Sequence, residues 1–114
     1  MNIEGEDYAV SLDDETKTVT CEGSLRLSGM TEYAPIVALL NELADTVPPT
    51  VTLDVRKLKF LNSSGINALS KFVIKVRKNE KTAMFVKGSK HIAWQKKSLK
   101  NLQRLMPNLE LQWE

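Results

Sequence analysis

Val51-Thr52-Leu53-Asp54-Val55-Arg56-Lys57-Leu58-Lys59-Phe60-Leu61-Asn62-Ser63-Ser64-Gly65 is the stretch on which the fold turns. Its first five residues are the β-branched and apolar run of a strand, which continues through Arg56 to Phe60 into a polar turn. Behind Gly65, Ile66, Leu69, Val73 and Val76 fall on one stripe at helical spacing, so an amphipathic helix begins at the turn and runs to about Lys78. Two adjacent hydroxyls, Ser63 and Ser64, stand where that helix starts. A serine here is a natural N-cap for the amides of Gly65 or Ile66. A phosphoryl group on Ser63 would lie at the positive end of the helix among free N–H groups, where it is held without unfolding the chain. It would also add roughly −1.5 to −2 charge to a surface that a partner has to dehydrate.

Outward from this centre the pattern repeats. Toward the N-terminus, Tyr8, Val10 and Leu12 alternate with smaller residues, Asp13-Asp14-Glu15 makes a polar turn, and Thr16 to Cys21 alternates again, which predicts an antiparallel hairpin. Ser28-Gly29 breaks the extended segment. Thr31 is the expected N-cap of a first helix, with Pro35 in its opening turn and Ile36, Leu39, Leu40 and Leu43 inward, ended by Val47-Pro48-Pro49. Toward the C-terminus, Lys81 to Val86 reads as a strand covered on both faces, because Ala83-Met84-Phe85-Val86 is continuously apolar. A third helix is expected from His91 to Leu105, with Ile92, Trp94, Leu99, Leu102 and Leu105 inward, and Leu109 to Trp113 closes as a short strand. The order β-β-α-β-α-β-α-β makes one α/β domain spanning residues 1–114. It predicts a mixed sheet with an N-terminal antiparallel hairpin and parallel βα crossovers.

Composition narrows the function. With 114 residues, 42% apolar and 26% charged, the chain has enough material for one core burying roughly two thirds of its unfolded surface. A lone cysteine, Cys21, forms no internal disulfide, the opening MNIEGEDYAV is acidic, and no apolar run approaches the ~20 residues of a membrane span, so a reduced, cytoplasmic protein without a membrane role is expected. His91 is the only histidine, and with Cys21 as the only thiol no nitrogen and sulfur cluster exists for a metal; no metal and no cofactor are expected. Neither Gly-x-Ser-x-Gly nor a glycine-rich phosphate loop occurs, which removes serine hydrolysis and phosphate-loop chemistry and leaves no catalytic residue.

The net charge of +2 conceals an asymmetry: residues 1–50 carry ten acids and two bases, and residues 51–114 carry four acids and fourteen bases. Such an imbalance marks either a basic partner-binding face in the second half or, if the halves interleave, two complementary wet faces. Lys90, Lys96, Lys97, Lys100 and Arg104, with Trp94 among them, are the residues a nucleic acid would meet. They form no recognisable docking motif, so nucleic acid is not the expected partner.

The segment from Leu53 to Ile66 resembles the signature of the STAS domain, as in bacterial anti-anti-sigma factors (anti-sigma factor antagonists). There a strand ending in Asp-Leu or Asp-Val leads through a short loop with an aromatic to Asp-Ser-Ser/Thr-Gly-Leu/Ile at the start of a helix. The derived order of elements matches that fold over nearly the whole chain. The resemblance implies a non-enzymatic regulatory phosphoprotein that works by partner switching in signal transduction. The unmodified domain binds a serine kinase of the ATPase type that doubles as an anti-sigma factor. Phosphorylation of the first serine, here Ser63, releases it, and a metal-dependent serine phosphatase restores it. Asn62, Ser64 and Gly65 would then belong to the partner-binding surface around the site. Two positions depart from the pattern: Asn62 stands where aspartate is usual, and the last helix, ending Leu102-Gln103-Arg104-Leu105-Met106-Pro107, lacks the family's aromatic and Ser/Thr-Gly-Leu ending. The look is that of a stand-alone STAS-like regulator, in which the output can be something other than transcription. The rival expectation is a basic-face interaction module binding nucleic acid or an acidic protein, with Ser63 only a helix cap.

Overall fold

A computed structural model describes all residues 1–114. Six strands lie in sequence order across one sheet: β1 (Asn2–Glu4), β2 (Tyr8–Asp13), β3 (Thr18–Leu25), β4 (Thr50–Leu61), β5 (Ala83–Gly88) and β6 (Glu110–Trp113). Helices α1 (Gly29–Asp45), α2 (Ser63–Asn79) and α3 (Gln95–Leu105) connect the parallel strands β3 to β6, and β1 to β3 pair antiparallel. The expected α/β order is present with one addition, the edge strand β1.

Consecutive strand order has a consequence for the core. Each crossover of the usual right hand sets its helix on the same face of the sheet. All three helices therefore share one side, and the burial pattern agrees: Val10, Val19, Cys21, Leu53, Met84 and Val86 are buried. Thr18, Thr20, Thr52, Phe85 and Lys87, on the alternate positions, are half-buried. Strand β5 is thus covered on one face only, with Ala83 exposed, and the expectation of two covered faces is corrected. The apolar run misleads because Phe85 and Ala83 sit on the open side of the sheet. Cys21, sealed in the core, has its thiol pushed up to about 12 by burial and by the Asp54 charge.

The two long helices carry their apolar faces as expected, Ile36, Leu39, Leu40 and Leu43 on α1 and Leu69, Val73 and Val76 on α2, the latter joined by Ala68 and Phe72. Ile66 is half-buried at the rim. Helix α1 starts earlier than expected: Ser28, not Thr31, is its N-cap, and Glu32 Oε1 accepts from the Ser28 amide at 2.9 Å. Gly29 follows at φ +61°, a backbone angle glycine adopts cheaply. Pro35 accordingly lies well inside the helix rather than in its opening turn. Helix α3 starts later, at Gln95, because residues 91–94 are taken up by turns in which Ser89 Oγ accepts from the His91 amide at 3.2 Å.

Strand β4 is bent by two register irregularities against β3. Its buried apolar residues run Val51, Leu53, Val55, then Leu58, then Leu61, the spacing lengthening from two to three at each extra residue. Pairing with β5 ends at Asp54–Lys87. The second half of β4 therefore extends beyond the sheet on that side and carries Asn62 and Ser63 to one end of the molecule.

The charge asymmetry is resolved by the same order. Because the halves are not interleaved, β1 to β3 and α1 place the acidic half at one flank, and β4 to β6 with α2 and α3 place the basic half at the other. A Lys75–Asp45 ion pair of 2.9 Å joins α2 to α1 across the boundary.

Candidate functional site: the junction of β4 and α2

Strands β3 and β4 end side by side, Leu25 opposite Leu61, so the segments 26–30 and 62–64 share one end of the sheet. Asn62 is the N-cap of α2, in extended conformation at φ −80° and ψ 176°. Its Oδ1 accepts from the Gly65 amide (3.0 Å) and from the Tyr33 hydroxyl (2.7 Å), while its Nδ2 donates to the Leu27 carbonyl (2.8 Å). One amide side chain thereby ties together the start of α2, the body of α1 and the loop after β3. Its own backbone joins in, the N–H donating to Leu25 O at 3.1 Å and the C=O accepting from Ile66 N at 3.0 Å.

This corrects the assignment of Ser63 as the cap. The Gly65 and Ile66 amides that Ser63 was expected to hold are taken by Asn62, which is the hub of the junction. Three good capping types stand in a row here, and the choice among them is made by Tyr33 and Leu27, which only Asn62 reaches.

Ser63 is consequently released. It is the first residue of α2, exposed, and its hydroxyl forms no bond within the protein; Ser64 behind it is half-buried. The Ser63 and Ser64 amides have no intrahelical acceptor, so they give this end of α2 a partial positive charge. Gly65 is buried in the angle of the turn. A Cβ there would lie 2.7 Å from the Tyr33 hydroxyl and closer still to Leu61, so the residue is glycine because the strand and α1 approach it directly. Burial raises the Tyr33 phenol above its ordinary pKa, and it stays protonated as the donor to Asn62.

Around the free hydroxyl the surface is partly apolar. Of the exposed large hydrophobic residues, Met1, Met30, Val47 and Phe60, two lie at this end. Phe60 is 39% exposed and carries the Arg26 guanidinium 4.5 Å above its ring. Neither Tyr33 nor Arg26 was indicated by the sequence, since both act from elements distant in the chain. No three of the His, Cys, Asp and Glu side chains come together as a metal site would need, and no helix is long and apolar enough to cross a membrane.

No family model and no curated relative matches the chain. Solved structures do. It is similar to a chain in the crystal structure of the diguanylate cyclase SiaD in complex with its activator SiaC from Pseudomonas aeruginosa. Identity there is 13% and the TM-score 0.77, covering 100% of this chain and 99% of that one. It is also similar to SiaC of Pseudomonas aeruginosa, with 13% identity and a TM-score of 0.75 over 100% and 98% of the two chains. An anti-sigma factor antagonist from Mycobacterium paratuberculosis matches at 20% identity and a TM-score of 0.68 over 95% and 90%. At these identities the likeness speaks for the fold, and it extends over nearly the whole chain: the protein has the STAS-like fold shared by these anti-sigma factor antagonist and SiaC structures.

Proposed function

We propose that the protein is a non-enzymatic regulator that works by partner switching, binding a partner protein through the surface around Ser63 and releasing it when Ser63 is phosphorylated. The observation that carries this reading is the free, exposed Ser63 hydroxyl on a helix start already capped by Asn62. A phosphoryl group there displaces no structural bond, meets the open Ser63 and Ser64 amides, and changes the charge of a surface bearing Phe60 and Met30. Asn62 and Gly65 shape that surface, and Ser64 borders it. The modifying enzyme is a serine kinase of the ATPase type that also serves as the binding partner, in the manner of an anti-sigma factor, and a metal-dependent serine phosphatase reverses the step. The STAS-like fold is used by an anti-sigma factor antagonist and by an activator of a diguanylate cyclase, so a partner outside transcription is compatible with it.

Mass spectrometry of the protein isolated from its native cells, beside a Ser63→Ala variant, tests the proposal. Phosphate on the peptide containing Ser63, absent from the variant, is expected, together with capture of a kinase by the unmodified form and its loss with Ser63→Asp. An unmodified Ser63 under all growth conditions with no kinase captured would sink the reading.

A further inference from the structure

A second surface lies at the β6 edge of the sheet. Strand β6 aligns Trp113 with Gly88, and a Cβ on Gly88 would lie 2.8 Å from Trp113 Cζ3 and 2.7 Å from Leu99 Cδ1, so the indole is seated directly on the β5 backbone beside α3. Trp113 stays half-exposed and forms the apolar floor of a cleft of about 400 Å³ whose other lining residues are Lys90, Lys96 and Lys100. The Lys90 amide donates to Glu114 O at 2.9 Å, which holds Lys90 at the end of β6 beside the ring. A second cleft of about 510 Å³, lined by Lys100, Gln103, Arg104 and Pro107, shares Lys100 with the first. Together they make one groove along α3.

Its charge is of one sign. Helix α3, Gln95-Lys96-Lys97-Ser98-Leu99-Lys100-Asn101-Leu102-Gln103-Arg104-Leu105, contains no acid. The acid next to Trp113, Glu114, projects to the opposite face of the strand and meets the Arg56 guanidinium there. Lys96, Lys100 and Arg104 recur every four residues, so successive cations rise by about 6 Å along the helix. That is close to the separation of phosphates along an extended single strand. A linear polyanion can follow this row while an unpaired base lies on the Trp113 face, the combination of cationic track and aromatic platform by which single strands are held. A duplex keeps its bases stacked on one another and has no use for the indole. An acidic peptide would meet the lysines alone.

We propose that the groove along α3 binds single-stranded nucleic acid, with Lys90, Lys96, Lys100 and Arg104 on successive phosphates and Trp113 stacked on a base. The site is independent of Ser63. The test is fluorescence anisotropy of a labelled oligothymidylate titrated with the full chain at several salt concentrations. Binding is expected at low salt, weakening with a log–log slope of about −3 for four neutralised phosphates. Lys96→Glu/Lys100→Glu should weaken it at least tenfold with an unchanged circular dichroism melt, both side chains being exposed. Trp113→Leu should cost about tenfold, the loss of one stacked base, with the salt slope retained. Should that variant fail to fold, quenching by oligothymidylate and not by polyglutamate in a Trp94→Phe variant, which leaves Trp113 as its single tryptophan, reads the same contact. Ser63→Asp should bind as wild type, which separates this site from the switch. Absence of binding at low salt, equal affinity for polyglutamate or duplex, or lysine variants that bind normally would each overturn the assignment.

Discussion

Two junctions in this molecule solve the same problem, the passage from a parallel strand into a helix, with the same chemical group placed differently. At the start of α2 the group is the Asn62 amide, half-buried, outside the helix as its cap. At the start of α3 it is the Gln95 amide, fully buried, inside the first turn, behind an N-cap, Trp94, whose side chain makes no capping bond. Gln95 Oε1 accepts from the Ser89 amide (2.8 Å), and Nε2 donates to the carbonyls of Val55 (2.7 Å) and Leu58 (3.1 Å). Those carbonyls belong to the part of β4 that has outrun β5, and Trp94 Nε1 adds a third bond by donating to Leu58 at 3.1 Å. An amide is used in both places because it donates and accepts at once. The difference lies in what each leaves at the surface: a hydroxyl free of structural duty at α2, and a row of cations at α3.

The largest test of this comparison is Gln95→Leu. It leaves the buried Val55 carbonyl and the half-buried Ser89 amide without these partners, at about 1 to 3 kcal/mol for each group. A loss of about 3 kcal/mol in urea unfolding is therefore expected. A loss below about 1 kcal/mol would mean that the overhanging part of β4 is satisfied by water and that Gln95 is only packing.

Asn62→Asp sharpens the contrast at the other junction. An aspartate keeps the capping oxygen and suits the positive end of α2, which favours the helix. It cannot donate to the Leu27 carbonyl, and two oxygens would then face each other where a 2.8 Å hydrogen bond now stands. The expected net effect is a destabilisation of about 1 to 2 kcal/mol at neutral pH. A stabilised Asn62→Asp protein would show that capping alone governs the site and that its tie to the loop after β3 is dispensable.

Much of this architecture was legible in the sequence, and the remainder was hidden for identifiable reasons. The stripes of α1 and α2 and the β2–β3 hairpin follow from local periodicity, which needs no knowledge of partners. Strand β1 is three residues long and exists through pairing with residues 9–11, so nothing within it announces a strand. The irregularities in β4 replace a spacing of two by a spacing of three, so alternation along the chain does not mark which residues of its second half face the core. The cap at Asn62 rests on partners 29 and 35 residues away, and the role of Gln95 on partners 40 and 37 residues away, so both belong to tertiary structure. The position of Ser63 was legible; its freedom from capping was not.

On the open face of the sheet, acid provides a smaller test. Burial raises the Asp54 carboxyl, but the side-chain and backbone hydrogen bonds from Arg56, and the charges of Arg56 and Lys87, more than offset this and hold it below the ordinary carboxylate range. Arg56 meets Asp54 at 2.7 Å and also reaches Glu114, bracing β4 against β6. The folded carboxyl binds its proton less readily than the unfolded one. The stability it contributes is therefore complete above the unfolded value near pH 4 and is lost as pH falls through the lower folded value. Arg56 is partly exposed, so the effect should stay under about 1 kcal/mol. Comparing wild type with Asp54→Asn in urea should show the difference between the two shrinking below pH 4. A difference that persists unchanged to pH 2 would remove the ion pair as its cause.

The smallest expected effect bears most on function. If Asn62 caps α2, Ser63→Ala removes a hydroxyl with no partner, and stability should change by no more than about 0.5 kcal/mol. Ser63→Asp should be equally benign, since an acid in the first turn suits the helix end. A serine that was itself the cap would cost about 1 kcal/mol on replacement by alanine, and Asn62→Ala is expected to cost at least that much. Thermal melts of the three variants rank the two residues directly. Near-wild-type melts for both Ser63 variants, beside a clear loss for Asn62→Ala, would leave the hydroxyl free for modification. The reverse ranking would return Ser63 to structural duty and weaken the case that the junction can be switched without being unfolded.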